Sequence, residues 1–170
     1  MDLTKFNDLT ALSGSPYCCV CYLLKGPEGN LLIDTGDGSI YFGFKPTITI
    51  LTHNHYDHTQ GIEKKWDNVF LHKHDFEKTE FSYVPEKLKE IEFENIKWGK
   101  WDLDIIHTPG HTKGSICLYD KNRKVLFSGD TLFKNGKSRT DLGGNEELLK
   151  NSLKKLEKLE IEHLFPGHNY

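Results

Sequence analysis

The sequence predicts two β-rich layers covered by helices. Strand-forming runs dominate each half of the chain, and helix-compatible segments follow them. Thr47–Thr52 (TITILT) is a short, continuous, largely β-branched run, as a strand buried on both faces requires. The 170 residues can close one ordinary core and are too few for two full-sized ones, so a single domain over residues 1–170 is expected.

In chain order, Tyr17–Leu24 reads as a strand. Gly26–Asn30 is a hairpin loop, and Leu31–Ile33 is the returning strand, running into Asp34-Thr35-Gly36. After the Thr47–Thr52 strand, Thr59–Trp66 reads as a short helix capped near Thr59, and Val69–Leu71 as another strand. Residues 72–90 are helix-compatible and broken at Pro85. Ile91–Trp98 and Trp101–Thr108 are two strands joined at Gly99-Lys100; Ser115–Tyr119 and Lys124–Phe127 form a hairpin. Asn145–Leu159 is the strongest helix, capped by Asn145, with Leu148, Leu149, Leu153, Leu156 and Leu159 at helical spacing. His163–Phe165 is a last short strand before Pro166-Gly167-His168.

Composition narrows the function. A formal charge of −3 argues against broad electrostatic binding to nucleic acid or to an anionic membrane. No apolar run approaches the ~20 residues of a membrane helix. The start, MDLTKFNDLT, lacks the basic and apolar regions of a secretory signal, so a reducing cytoplasm is the expected compartment. Cys18 and Cys21 form a C-x-x-C with no second pair to complete a zinc site. All four cysteines (Cys18, Cys19, Cys21, Cys117) are read as buried structural residues. Arg occurs only twice, against many Lys and Glu, a bias shared by thermophile proteins and AT-rich genomes.

The chemistry concentrates in Thr52-His53-Asn54-His55-Tyr56-Asp57-His58. Three imidazoles and a carboxylate fall within six residues directly after the β-branched strand. In an extended segment His53 and His55 share a side, and a following turn can swing Asp57 and His58 to a neighbouring point. That arrangement suits two adjacent metal ions, with Zn, Fe or Mn compatible with imidazole and carboxylate donors. Three further segments run from an apolar strand through a small-residue turn to a ligand type: Thr108-Pro109-Gly110-His111, Ser128-Gly129-Asp130 and Pro166-Gly167-His168. His72, His74, His107 and His163 are read as structural or solvated.

H-x-H-x-D-H, P-G-H-T, S-G-D-T-L-F and P-G-H, in that order and behind Ile33-Asp34-Thr35-Gly36, resemble the metallo-β-lactamase superfamily from about Tyr17 to Tyr170. The resemblance implies an αββα four-layer sandwich with a dinuclear site at one edge. It implies His53, His55 and His111 on the first metal, Asp57, His58 and His168 on the second, and Asp130 bridging both. Asp57 and Asp130 would be the catalytic carboxylates, and Asp34 would orient a ligand imidazole through its other ring nitrogen. Zinc is the first expectation for the two divalent ions, with iron or manganese as alternatives. Only nine residues separate Gly36 from Pro46, so the first helix of that fold has little room.

Within the superfamily, Asp130-Thr131-Leu132-Phe133, Gly136-Lys137-Ser138-Arg139 and Gly167-His168-Asn169-Tyr170 resemble glyoxalase II. The match places Arg139 and Tyr170 at substrate-contacting positions. Asp141 and Ser138 depart from that pattern, and no counterpart of the helical C-terminal domain of glyoxalase II is expected. The implied activity is hydrolysis of a thioester or similar small acyl substrate by metal-bound hydroxide. The rivals are an iron-dependent persulfide dioxygenase, to whose R-x-D stretch Arg139-Thr140-Asp141 is similar, and a non-catalytic metal-binding module.

Overall fold

The computed structural model describes residues 4–168. Strands β1 (Leu9–Leu12), β2 (Cys21–Gly26), β3 (Gly29–Ile33), β4 (Ile48–Ile50), β5 (Val69–Leu71) and β6 (Lys89–Glu90) form one sheet in sequence order. β1 to β3 pair antiparallel, and β3 to β6 pair parallel. β7 (Asn95–Trp98), β8 (Trp101–His107), β9 (Ile116–Asp120), β10 (Val125–Gly129) and β13 (His163–Pro166) form the second sheet, in the order β13-β10-β9-β8-β7. Only β10 and β13 are parallel there. β11 (Leu132–Phe133) and β12 (Gly136–Lys137) make a small hairpin. The α-helices are α1 (Tyr56–Thr59) and α2 (Glu146–Leu156).

Side-chain alternation explains the stacking of the sheets. Tyr22, Leu24, Leu31, Ile33 and Ile50 face inward and pack with Trp101, Leu103, Leu118, Phe127 and Phe165 of the other sheet. The residues between them point the opposite way. Cys21, Leu23, Leu32 and Leu51 are covered by Phe42 and Trp66, whereas Cys117, Tyr119 and Leu126 are covered by Leu156 of α2. Both faces of the central strands are therefore apolar. This is the αββα layer order, with the outer layer on the first sheet built mostly from loops. No helix is described between Gly36 and Pro46, as the short spacing there requires.

The strand directions create one functional edge. β8, β10 and β13 all run the same way, so the loops that follow them emerge together. β3 and β4 are parallel in the facing sheet, and the backbone N–H of Ile116 donates to Thr52 O at 2.9 Å, joining the two sheets at this edge. Asp34, the His53–His58 segment, His111, Asp130 and His168 each follow one of these five strand ends.

Several elements differ from the sequence expectation. The helix expected at Thr59–Trp66 is instead the single turn of α1, starting after His55. Beyond it, Gly61 N–H bonds to Gly36 O at 3.1 Å and pulls the chain away from a helical path. Residues 72–90 hold one 3-10 turn, Lys73–Asp75, and the short parallel strand β6 in place of the helical reading. The strand expected from Tyr17 begins at Cys21, because residues 17–20 bend past the His53–His58 segment, where Cys19 N–H reaches Asp57 O at 3.4 Å. β1 and the β11–β12 hairpin have no counterpart in the sequence reading. In α2, Leu148 is exposed, whereas Leu149, Ser152 and Leu156 form the buried face.

Candidate metal centre

Eight side chains named from the sequence meet at the functional edge. Asp34, His53, His55, His58, His111 and His168 are each at most 7% exposed. One donor atom from each of His53, His55 and His111 falls within 4.8 Å of the others, and so does one from each of Asp57, His58 and His168. Asp130 stands between the two groups. Its Oδ1 lies 3.3 Å from His58 Nε2, and its Oδ2 lies 3.7 Å from His111 Nε2 and 3.5 Å from His168 Nε2. His168 Nε2 also lies 3.1 Å from Asp57 Oδ2.

The ring nitrogens facing away from the centre are tied to acceptors. Asp34 accepts from the Thr52 backbone N–H at 2.7 Å, from Thr52 Oγ1 at 2.8 Å and from His58 Nδ1 at 2.8 Å. Thr52 Oγ1 uses its hydrogen in the bond to Asp34, so it accepts from His53 Nδ1 at 3.1 Å. His111 Nδ1 donates to Arg139 O at 2.9 Å, with Ser138 Oγ also at 2.9 Å. A proton on Nδ1 leaves the Nε2 lone pair of His53 and of His111 for the centre, the tautomer a metal ligand needs. Gly167 is demanded by space: a Cβ there would stand 2.2 Å from Asp130 Oδ1 and 2.7 Å from His58 Cε1.

Burial without partners is the main test of whether these residues suit a metal. His53 Nε2, His55 Nε2, His111 Nε2 and Asp130 Oδ1 are buried and make no hydrogen bond among the described residues. Each such orphan costs about 1–3 kcal/mol, so leaving four of them together is unfavourable unless a ligand is bound there. The donors are imidazole nitrogen and carboxylate oxygen, which suit zinc, iron or manganese. The residues therefore fit two divalent ions sharing Asp130.

The electrostatics of His53 and His55 agree with that fit. Burial, followed by the neighbouring imidazoles His58 and His111, holds His53 well below the ordinary histidine range. Burial, then His111 and His58, holds His55 down at about 4. Both are therefore neutral, as ligands must be, at neutral pH. His58 goes the other way: burial opposes its charge, but Asp130 and Asp34 prevail and raise it well above the usual value. Asp130 is held far below the ordinary carboxylate range, because His58, His168 and His111 outweigh its burial. Asp57 is lowered too, its burial outweighed mainly by the hydrogen bond from His168.

A model of the metallo-β-lactamase superfamily matches residues 16–168. The chain belongs to the metallo-β-lactamase superfamily. The hydroxyacylglutathione hydrolase of Bartonella tribocorum is 37% identical over 123 residues, which cover 71% of this chain and 47% of the relative. The chain thus spans about half the length of that relative. The structure of TTHA1623 in a di-iron-bound form superposes with a TM-score of 0.76 at 27% identity, covering 95% of this chain and 92% of the other. The B3 metallo-β-lactamase BLEG-1 superposes with a TM-score of 0.77 over the same shares at 24% identity, which shows the shared fold.

The metallo-β-lactamase signatures singled out the inward-facing side chains but not all of their supports. Thr52, Ser138 and the Arg139 carbonyl hold ligand-type imidazoles. Thr52 could have been noticed as the polar end of the TITILT strand. The carbonyl has no sequence signal, because every residue carries one. The Arg139 side chain is exposed and bidentate to Asp141, with Nε at 2.7 Å and Nη2 at 2.5 Å from the carboxylate. Tyr170 lies outside the described residues. The four cysteines are buried and none is disulfide-bonded. No described helix is long and apolar enough to cross a membrane.

Proposed function

We propose that this chain is a dinuclear metal-dependent hydrolase acting on a thioester or similar small acyl substrate. The reading is carried by the two donor clusters sharing Asp130, in which His53 Nε2, His55 Nε2, His111 Nε2 and Asp130 Oδ1 are buried without a hydrogen bond among the described residues. His53, His55 and His111 would hold one ion, Asp57, His58 and His168 the other, and Asp130 both. When bound, two such ions would supply Lewis acidity, lowering the pKa of a bound water towards about 7 and polarising an acyl carbonyl.

The rest of the chemistry belongs to the chain. The Asp57 and Asp130 side chains are 19% and 12% exposed, whereas that of His58 is fully buried, so water and substrate reach the centre from the carboxylate side. Both carboxylates are ionised at neutral pH and accept hydrogen bonds from an entering water, orienting it before reaction. With both ions held, the centre around Asp57 and Asp130 would carry net positive charge and would favour negative charge developing on the substrate. Arg139 would grip a substrate carboxylate, which must displace Asp141 to do so. The identity to a hydroxyacylglutathione hydrolase supports the acyl-thioester class. We infer a cytoplasmic enzyme with no nucleic-acid or membrane partner from its charge and composition.

The test is metal analysis of protein purified without added metal, followed by a panel of thioesters and lactones. Two ions per chain and turnover of a thioester are expected. A single iron per chain with dioxygen uptake and no hydrolysis would replace this reading with the persulfide dioxygenase one.

A further inference from the structure

His53, His55 and His111 come from facing sheets, so their spacing depends on what joins the two loops. One buried carboxylate outside every motif does this. Asp75, 2% exposed, ends the 3-10 turn Lys73–Asp75. Its Oδ2 accepts from the Asn54 backbone N–H at 3.2 Å and from Thr112 Oγ1 at 2.7 Å, and its Oδ1 accepts from the Gly114 N–H at 2.6 Å. Its own carbonyl accepts from Asn54 Nδ2 at 2.9 Å. Asn54 is the residue between His53 and His55, and Thr112 follows His111 directly. At Gly114 a Cβ would lie 2.6 Å from Asp75 Cγ, so that position is shaped to the carboxylate.

The second donor group has different supports. His58 is held by Asp34, and the turn before His168 is held by Gly167 N–H on Gly129 O at 2.7 Å. Among the described residues, Asp75 makes no hydrogen bond to either. A carboxylate that bonds the residues adjoining His53, His55 and His111, and none adjoining Asp57, His58 or His168, can tune the two groups separately.

We propose that Asp75 is the positioning residue of the His53–His55–His111 group, setting the spacing of the three imidazoles and so the affinity of the ion they hold. This rests on the dinuclear reading above and adds an assignment of which ion Asp75 governs. Its loss removes the carboxylate bridge between the Asn54 N–H and Thr112 Oγ1, loosening one loop against the other, while the Asp57–His58–His168 group keeps its own supports. Partners of ligand residues typically change metal affinity by about 10–100-fold.

The test is competition of zinc-loaded protein against a graded chelator for wild type, Asp75→Ala, Asp75→Asn and Thr112→Val. Cobalt-substituted samples give a spectral readout of coordination. Asp75→Ala is expected to lose one of two ions at least about tenfold more readily than wild type and to keep the other. Asp75→Asn retains one oxygen acceptor and falls between; Thr112→Val, which removes one bond of three, shifts the same ion by less. If Asp75→Ala does not fold, the two milder variants decide. Two ions held as in wild type by all folded variants, or equal weakening of both ions, overturns the proposal. A wild-type protein that binds no zinc overturns the dinuclear reading itself, so the two failures are distinct.

Discussion

At the scale of single residues, Asp130 and His58 carry opposite burdens. Asp130 faces His58, His111 and His168 at 3.3–3.7 Å and so touches both donor groups. Asp130→Ala is therefore expected to weaken both ions, and to lower hydrolysis more than any other ligand substitution except His55. Two tightly held ions with near-normal turnover in that variant would remove Asp130 from its bridging role. His58 carries a proton in the metal-free protein because Asp130 and Asp34 raise its pKa, whereas His53 and His55 are held low by burial and neighbouring imidazoles. A raised histidine contributes stability that is complete below its unfolded value of about 6.5 and is lost as pH rises through its folded value. At pH 8, above the ordinary imidazole value of about 6.5, zinc uptake should still release the His58 proton, and none from His53 or His55. Calorimetry of zinc binding in buffers of different ionisation enthalpy measures this; His58→Asn should lower the release by about one proton, leaving that of the bound water, and an unchanged release would contradict it.

At the scale of elements, α2 is the clearest case of local sequence deciding structure. Asn145 Oδ1 accepts from the Leu148 N–H at 3.0 Å, satisfying a helix-end donor, and Glu146 and Glu147 sit in the first turn. Asn145→Ala should cost about 1 kcal/mol. A thermal scan would show a drop of about 2–4 °C with zinc content unchanged, and no drop would mean that the cap is redundant. The strands with strong apolar runs, β3, β4, β9 and β10, were legible in the same way, because burial on both faces writes itself as consecutive apolar residues. β6 was not. Lys89 and Glu90 have helical propensity, and only pairing with Phe70 and Leu71 makes them a strand. α1 was misplaced by three residues at its start because the ligand motif itself forms the turn, with His55 as its cap. Site residues announced by a Gly-containing turn or by H-x-H-x-D-H were legible. Asp75 was not, since H-K-H-D-F reads as ordinary helix-compatible chain and its partners lie 21 and 37 positions away.

At the scale of the whole molecule, the donor groups span both sheets. The His53–His58 segment follows the first sheet's β4, whereas His111, Asp130 and His168 follow strands of the second. Ions bound there would cross-link the sandwich at one edge. They would also stabilise the folded state by mass action, by about 4 kcal/mol at a thousandfold excess over the dissociation constant. The central claim is that one edge of the fold holds two metal ions between the two sheets. Anomalous X-ray diffraction at the zinc edge, from crystals of the zinc-loaded protein, tests it most directly. The account predicts two peaks about 3.5–4 Å apart, one against His53, His55 and His111 and the other against Asp57, His58 and His168, with Asp130 between them. A single peak, or peaks away from these residues, would contradict it.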